Sequence, residues 1–223
     1  MKGLFREHRG FWSKENKKSL YLAILLLALS LIIQVRAGHY SSRTATSANF
    51  VGDLFLDNLP VVNLDFIIVQ GAILFWIISI FLLAIRPRYL LFGLKAVALF
   101  IIFRAFFISL THIGIYPRQA VLDTDDIGYR LFRLLTFQGN YFFSGHTGFP
   151  LLMALIFWDQ KIWRRLFLLM TFLFAASALL AHVHYSIDVF AAPFITYGIF
   201  KIAAGMFHRD YVLMRSLTAK TTS

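Results

Sequence analysis

A chain of 223 residues that is 59% hydrophobic, with a mean hydropathy of +0.69, is too apolar to be a soluble domain. It has no cysteine, which excludes disulfides and thiolate metal sites. Its net charge of +11 has only anionic lipid headgroups to explain it, because no other feature supports nucleic-acid binding.

The chain opens on a basic segment, residues 1–18, carrying Lys2, Arg6, Arg9, Lys14, Lys17 and Lys18. A first apolar span follows at roughly 19–35. Val35-Arg36-Ala37 has the small-residue spacing of a signal-peptidase site, but a polar lead of eighteen residues is long for a leader, so this span is read as an uncleaved helix. Residues 37–63 are expected to be the longest external loop, with a turn at "DNLP". The stretch Phe66 to Ile85, "FIIVQGAILFWIISIFLLAI", contains no charge and is the clearest membrane span. Further spans are expected at 90–116, 142–158, 166–181 and 187–206, with Pro150 and Pro193 as mild kink sites. The result is an all-α, six-transmembrane-helix bundle with a membrane catalytic domain at 19–207. A polar tail follows at 208–223, of which "SLTAKTTS" is expected to be disordered.

The basic residues give the bundle a direction. Arg86, Arg88 and Lys95 surround the second turn, Lys161, Arg164 and Arg165 the fourth, and Lys201, Arg209, Arg215 and Lys220 the end. In the intervening loops basic residues are few or are balanced by Asp123, Asp125 and Asp126. The positive-inside rule then puts both termini in the cytoplasm.

That topology brings three distant ionisable residues to the non-cytoplasmic face. His146 lies in "FFSGHTGFP" at the start of the fourth helix, and His184 and Asp188 lie in "AHVHYSIDV" where the sixth begins. His184 and Asp188 are i and i+4, on one helical face. The carboxylate can fix the imidazole tautomer and leave the other ring nitrogen unprotonated, or the two can merely satisfy each other at a helix end. Ser144 and Gly145 open the fourth helix, whose free N–H groups and dipole suit phosphate oxygens, and a glycine lets an anion approach the backbone.

"FSGHT" followed some forty residues later by "HYSID" resembles the type 2 phosphatidic acid phosphatase superfamily. "AHVHYSIDV" is most similar to the sphingomyelin synthase-like branch, which has "AHEHYTIDV". Two weaker echoes are "RAFFISLTHIGIYP" at 104–117 and "DNLPVVNLD" at 57–65. The resemblance implies a phosphohistidine mechanism with no metal or cofactor. His184 would be the nucleophile, Asp188 its orienting partner and His146 the acid that protonates the leaving oxygen. The substrate would be a phospholipid or sphingolipid. This chain has Ala178 where the broader pattern has arginine, Val183 where the branch has glutamate, and Asn140 where an acid commonly precedes "FSGH". Binding of a quaternary ammonium headgroup would then fall to aromatic faces such as Tyr141, Phe143 and Tyr185.

Phosphate charge needs cations. Arg104, inside the third span, is expected to point into the bundle, towards phosphate or towards an aspartate. Arg118, Arg130 and Arg133 flank the entrance to the fourth helix, as phosphate clamps or as a solvated network with the three loop aspartates. His112 and His182 are read as interface histidines. Four functions fit these residues: a phosphotransferase, a hydrolase using water as acceptor, a metal hydrolase on His146, His182, His184 and Asp188, and a non-enzymatic transporter or scaffold.

Overall fold

The computed structural model describes residues 10–120, 137, 139 and 141–216, so Arg130, Arg133, the 123–126 aspartates and "LTAKTTS" lie outside the described residues. Among them all regular secondary structure is helical. The elements are α1 (Lys14–Ser47), α2 (Phe66–Ile85, its first six residues a π-helical turn), α3 (Pro87–Leu110), α4 (Gly145–Ile156), α5 (Lys161–Leu180), α6 (Ser186–Met206) and α7 (His208–Arg215). Five of these, α1, α2, α3, α5 and α6, are long and apolar enough to cross a membrane.

α1 is longer than the apolar run that announces it. Ser13 caps it by accepting the Asn16 N–H at 3.2 Å. Its 34 residues extend about 51 Å, against a hydrocarbon core of about 30 Å. Residues 37–47, expected in a loop, are therefore helical. Their polar side chains find partners: Tyr40 Oη lies 3.0 Å from His112 Nε2, and Ser41 Oγ donates to the Gly139 carbonyl at 2.6 Å. The buried stripe of α1 includes Ser19, Ala23, Ser30, Gln34, Ala37 and Ser41, while Tyr21, Leu25, Ile32 and other large residues face outward. A soluble helix shows the reverse. In lipid, small residues let helices approach closely, and α1 packs chiefly along α3.

α3 stops at Leu110 rather than near 116. The chain turns extended at Thr111, and Gly114 N–H donates to Asn49 O at 2.9 Å. A Cβ on Gly114 would sit 2.3 Å from the Ala48 carbonyl oxygen, so this contact between backbones requires glycine. The fourth span, expected over 142–158, is the 12-residue α4, about 18 Å long. It begins only after Phe142, whose φ of 95° is incompatible with a helix.

The core is aromatic. Phe75 meets Phe149, Phe167 and Phe174 edge-on at 5.5 to 5.9 Å, and Tyr89 stacks on Phe157 at 4.7 Å. α7 fastens the end opposite to "SGHT". Its Asp210 receives Lys95 Nζ and Ser19 Oγ, and its Arg215 reaches Asp159 at 3.1 Å.

Candidate active site

At the other end, α3 finishes, α4 and α6 begin, and the two histidine motifs meet. The His146 and His184 rings lie 5.9 Å apart, centroid to centroid. His184 Nδ1 is 3.1 Å from Asp188 Oδ2, as the i,i+4 spacing requires. Asp188 is wholly buried and held on both oxygens. Oδ2 also accepts the Tyr185 N–H at 3.1 Å, and Oδ1 accepts the Phe142 N–H at 2.7 Å. The Asp188 carbonyl in turn accepts the Ser144 N–H at 3.1 Å. The two motifs are thus tied backbone to side chain. The left-handed φ of Phe142 is what aims its N–H at the carboxylate, a strained residue beside a candidate functional group.

Ser144 caps α4 by accepting the Thr147 N–H at 3.4 Å. Gly145 follows with Arg104 against it: a Cβ at 145 would lie 3.0 Å from Arg104 Nε. Arg104 has no carboxylate within ion-pair distance among the described residues, and its buried Nε makes no hydrogen bond. Of the two roles expected for it, pairing with an aspartate is not found among the described residues, and Asp123, Asp125 and Asp126 lie outside them. Arg118 is exposed in the turn after α3.

A cavity of about 290 Å³ runs from this cluster into the bundle. Arg104, Gly145 and His146 form its polar end, and Phe75, Trp76, Leu83, Val97 and Phe149 are among its apolar walls. It reaches Ile80, which is 66% exposed on the outer surface of α2.

Other expected residues lie elsewhere. His182 does not join His146, His184 and Asp188: its ring packs edge-on to Tyr116 at 5.4 Å, with a left-handed φ of 54°. Burial pushes its imidazole below the ordinary value, keeping it neutral at pH 7. Among the described residues no three His, Asp or Glu side chains converge as metal ligands. Tyr141, Phe143 and Tyr185 are at most 2% exposed and pack into the core, so they offer no open aromatic face.

Sequence reading missed Asp53. Its Oδ2 accepts the Ser186 N–H at 2.7 Å, at the first residue of α6, and its Oδ1 accepts Phe55 N–H at 2.9 Å and Leu56 N–H at 3.1 Å. Burial pushes this carboxyl up, but the Ser186 and loop N–H bonds outweigh it and the net shift is downward. A depressed carboxyl contributes stability above its ordinary value, lost as pH falls through the folded one, so the bond is intact at neutral pH. An acid set among Phe50, Val51, Leu54 and Phe55 was the available signal.

The sequence profile of the family "PAP2 superfamily C-terminal" matches residues 139–205, which contain both histidine motifs, and supports membership of the PAP2 superfamily. No curated protein and no solved structure matches the chain significantly. Together with five helices long and apolar enough to cross a membrane, the match suggests an integral membrane protein acting on a lipid or phosphate ester.

Proposed function

Taking PAP2 superfamily membership as the premise, we propose that this chain is a sphingomyelin synthase-like phosphotransferase that works through a phosphohistidine. The observation that carries the reading is the opposition of His146 and His184 across 5.9 Å, with Asp188 behind His184 and Arg104 beside them. Asp188 holds Nδ1 of His184 protonated, so Nε2 carries the lone pair that attacks phosphorus. The bond from phosphorus to the leaving oxygen breaks, and His146 gives that oxygen its proton. The acceptor hydroxyl then loses its proton to His146 and attacks phospho-His184, restoring both histidines. Arg104 and the first-turn N–H groups of α4 neutralise the phosphoryl oxygens, where charge spreads in the transition state.

The acceptor is read as a lipid alcohol because the cavity is apolar and reaches the lipid-facing Ile80. The second reading keeps the site and uses water, giving a lipid phosphatase or a phospholipase C-like hydrolase. Mass spectrometry of products from a labelled phospholipid with ceramide or diacylglycerol separates them, since only transfer yields a new phospholipid. The same labelled donor should trap an acid-labile, base-stable phosphoprotein. His184→Ala should form none, and Asp188→Asn should form it about a hundredfold more slowly. An adduct in His184→Ala would refute the mechanism.

The site is proposed to face away from the cytoplasm, supported by Lys14, Lys17 and Lys18 at the start of α1, Lys161, Arg164 and Arg165 of α5, and Arg209 and Arg215 of α7 at the opposite end, against Arg36, Arg43 and Arg118 on the site side. In this cysteine-free chain, an impermeant thiol reagent on intact cells should label Ser186→Cys and not Gln160→Cys. The reverse pattern would invert the orientation.

A further inference from the structure

The turn that carries Asp53 has two faces. Asp53 and Leu56 point inward, at 7% and 0% exposure, and Leu56 packs with Tyr116, Tyr141 and Tyr185 beside the His184–Asp188 dyad. Leu54, between them, is 77% exposed, and Phe55 is also exposed. The turn is braced from behind. Asp57 Oδ2 accepts the Asp53 N–H at 2.9 Å, and Tyr116 Oη donates to Asp57 Oδ1 at 2.7 Å.

What the outer face meets follows from its neighbour. Ile187, Phe190 and Phe194 are exposed on α6 at i, i+3 and i+7, one stripe on a span long and apolar enough to cross the membrane. In such a span a stripe of large apolar side chains faces lipid. The Phe55 ring lies 5.2 Å from that of Phe190, so Phe55 joins this stripe at the first turns of α6, and Leu54, 77% exposed, precedes it on the same turn. Apolar and aromatic side chains at that level belong in the bilayer interface.

We propose that the 53–56 turn is a membrane-seated clamp: Leu54 and Phe55 enter the interface of the leaflet on the site side, and Asp53 carries that seating to the first turn of α6 through the Ser186 N–H. The partner is a lipid surface. Asp53 is a positioning residue: it touches neither substrate nor the histidines, and it fixes the turn of α6 on which Asp188 holds His184. The kinetic consequence rests on the phosphotransfer reading above; the membrane seating does not.

Two measurements on the full chain in phosphatidylcholine vesicles test this. A nitroxide on Leu54→Cys should collide with oxygen in preference to a water-soluble nickel complex, as the same label should on Phe194→Cys within the span. A water-like ratio at 54 would overturn the seating. In kinetics, Asp53→Asn loses one carboxylate oxygen, and Leu54→Asp makes the outer face repel the leaflet while altering no buried side chain. Both should lower kcat, Asp53→Asn about tenfold for a charge-assisted bond, with KM within about twofold and the melting temperature of Leu54→Asp unchanged. Wild-type kcat in either variant would break the link between turn and dyad. If the wild type itself transfers no phosphoryl group, the functional reading fails, and the nitroxide still decides the seating.

Discussion

The two ends of the bundle treat buried charge in opposite ways. At the α7 end each buried carboxylate meets a cation: Asp210 has Lys95 and Arg209, and Asp159 has Arg215. At the histidine end Asp188 and Asp53 accept backbone N–H groups and an imidazole, with no Lys or Arg within ion-pair distance among the described residues. The buried guanidinium of that end, Arg104, has no carboxylate within ion-pair distance among the described residues. A charge inside a membrane bundle costs on the order of 3 kcal/mol even on scales that allow it to relax. One end has removed that cost internally and is a fastening. The other leaves positive charge beside an opening, which is how a protein prepares for an anion.

Matched substitutions at the two cations sharpen the contrast. Lys95→Met leaves Asp210 buried beside Ser19 with only a partly exposed arginine to answer it. Breaking a buried pair from one side costs about 3 to 5 kcal/mol. A denaturant melt in micelles should show that loss, while turnover per folded molecule stays near wild type. Arg104→Met should do the reverse. No ion pair among the described residues is broken, so stability should stay near wild type, but kcat/KM should fall about a hundredfold, the scale for losing one transition-state donor. If Arg104→Met melts as early as Lys95→Met, Arg104 is a structural ion and the two ends do not differ.

How much of this was legible in the sequence depends on the range of the interaction. His184 and Asp188 are four residues apart on one helix, so their contact follows from local geometry. His146 joined them through topology alone, because alternating spans decide which loops share a face. The limits of α1 were not legible: Ala37 to Ser47 reads as a polar loop, and stays helical because Tyr40 and Ser41 bond to His112 and Gly139, 72 and 98 residues away. Asp53 was hidden for the same reason, since its bond to Ser186 spans 133 residues. The strained Phe142 leaves no trace in composition. The small-residue face of α1 was visible as a pattern, but a hydropathy reading weighs only the large residues that face lipid.

The smallest expected effect probes the contact between Arg104 and α4. Gly145 has no left-handed φ, so alanine fits the backbone, and by narrowing the unfolded ensemble it should stabilise the chain by about 0.4 to 1 kcal/mol. Its Cβ would stand 3.0 Å from Arg104 Nε and 3.6 Å from Cδ and Cζ, so the guanidinium must retreat by a few tenths of an ångström. A long arginine side chain can do so at little cost, which separates this change from one that breaks the fold. If the guanidinium grips phosphate, the retreat should raise KM for the donor about two- to threefold, under 1 kcal/mol of a charge-assisted bond, with kcat within about twofold. Gly145→Val should push further in the same direction. Steady-state kinetics on the alanine and valine variants, each checked by a thermal melt, would read the gradient. A flat KM across glycine, alanine and valine would mean that Arg104 does not touch the ligand, and that the unpaired charge at this end serves something other than phosphate.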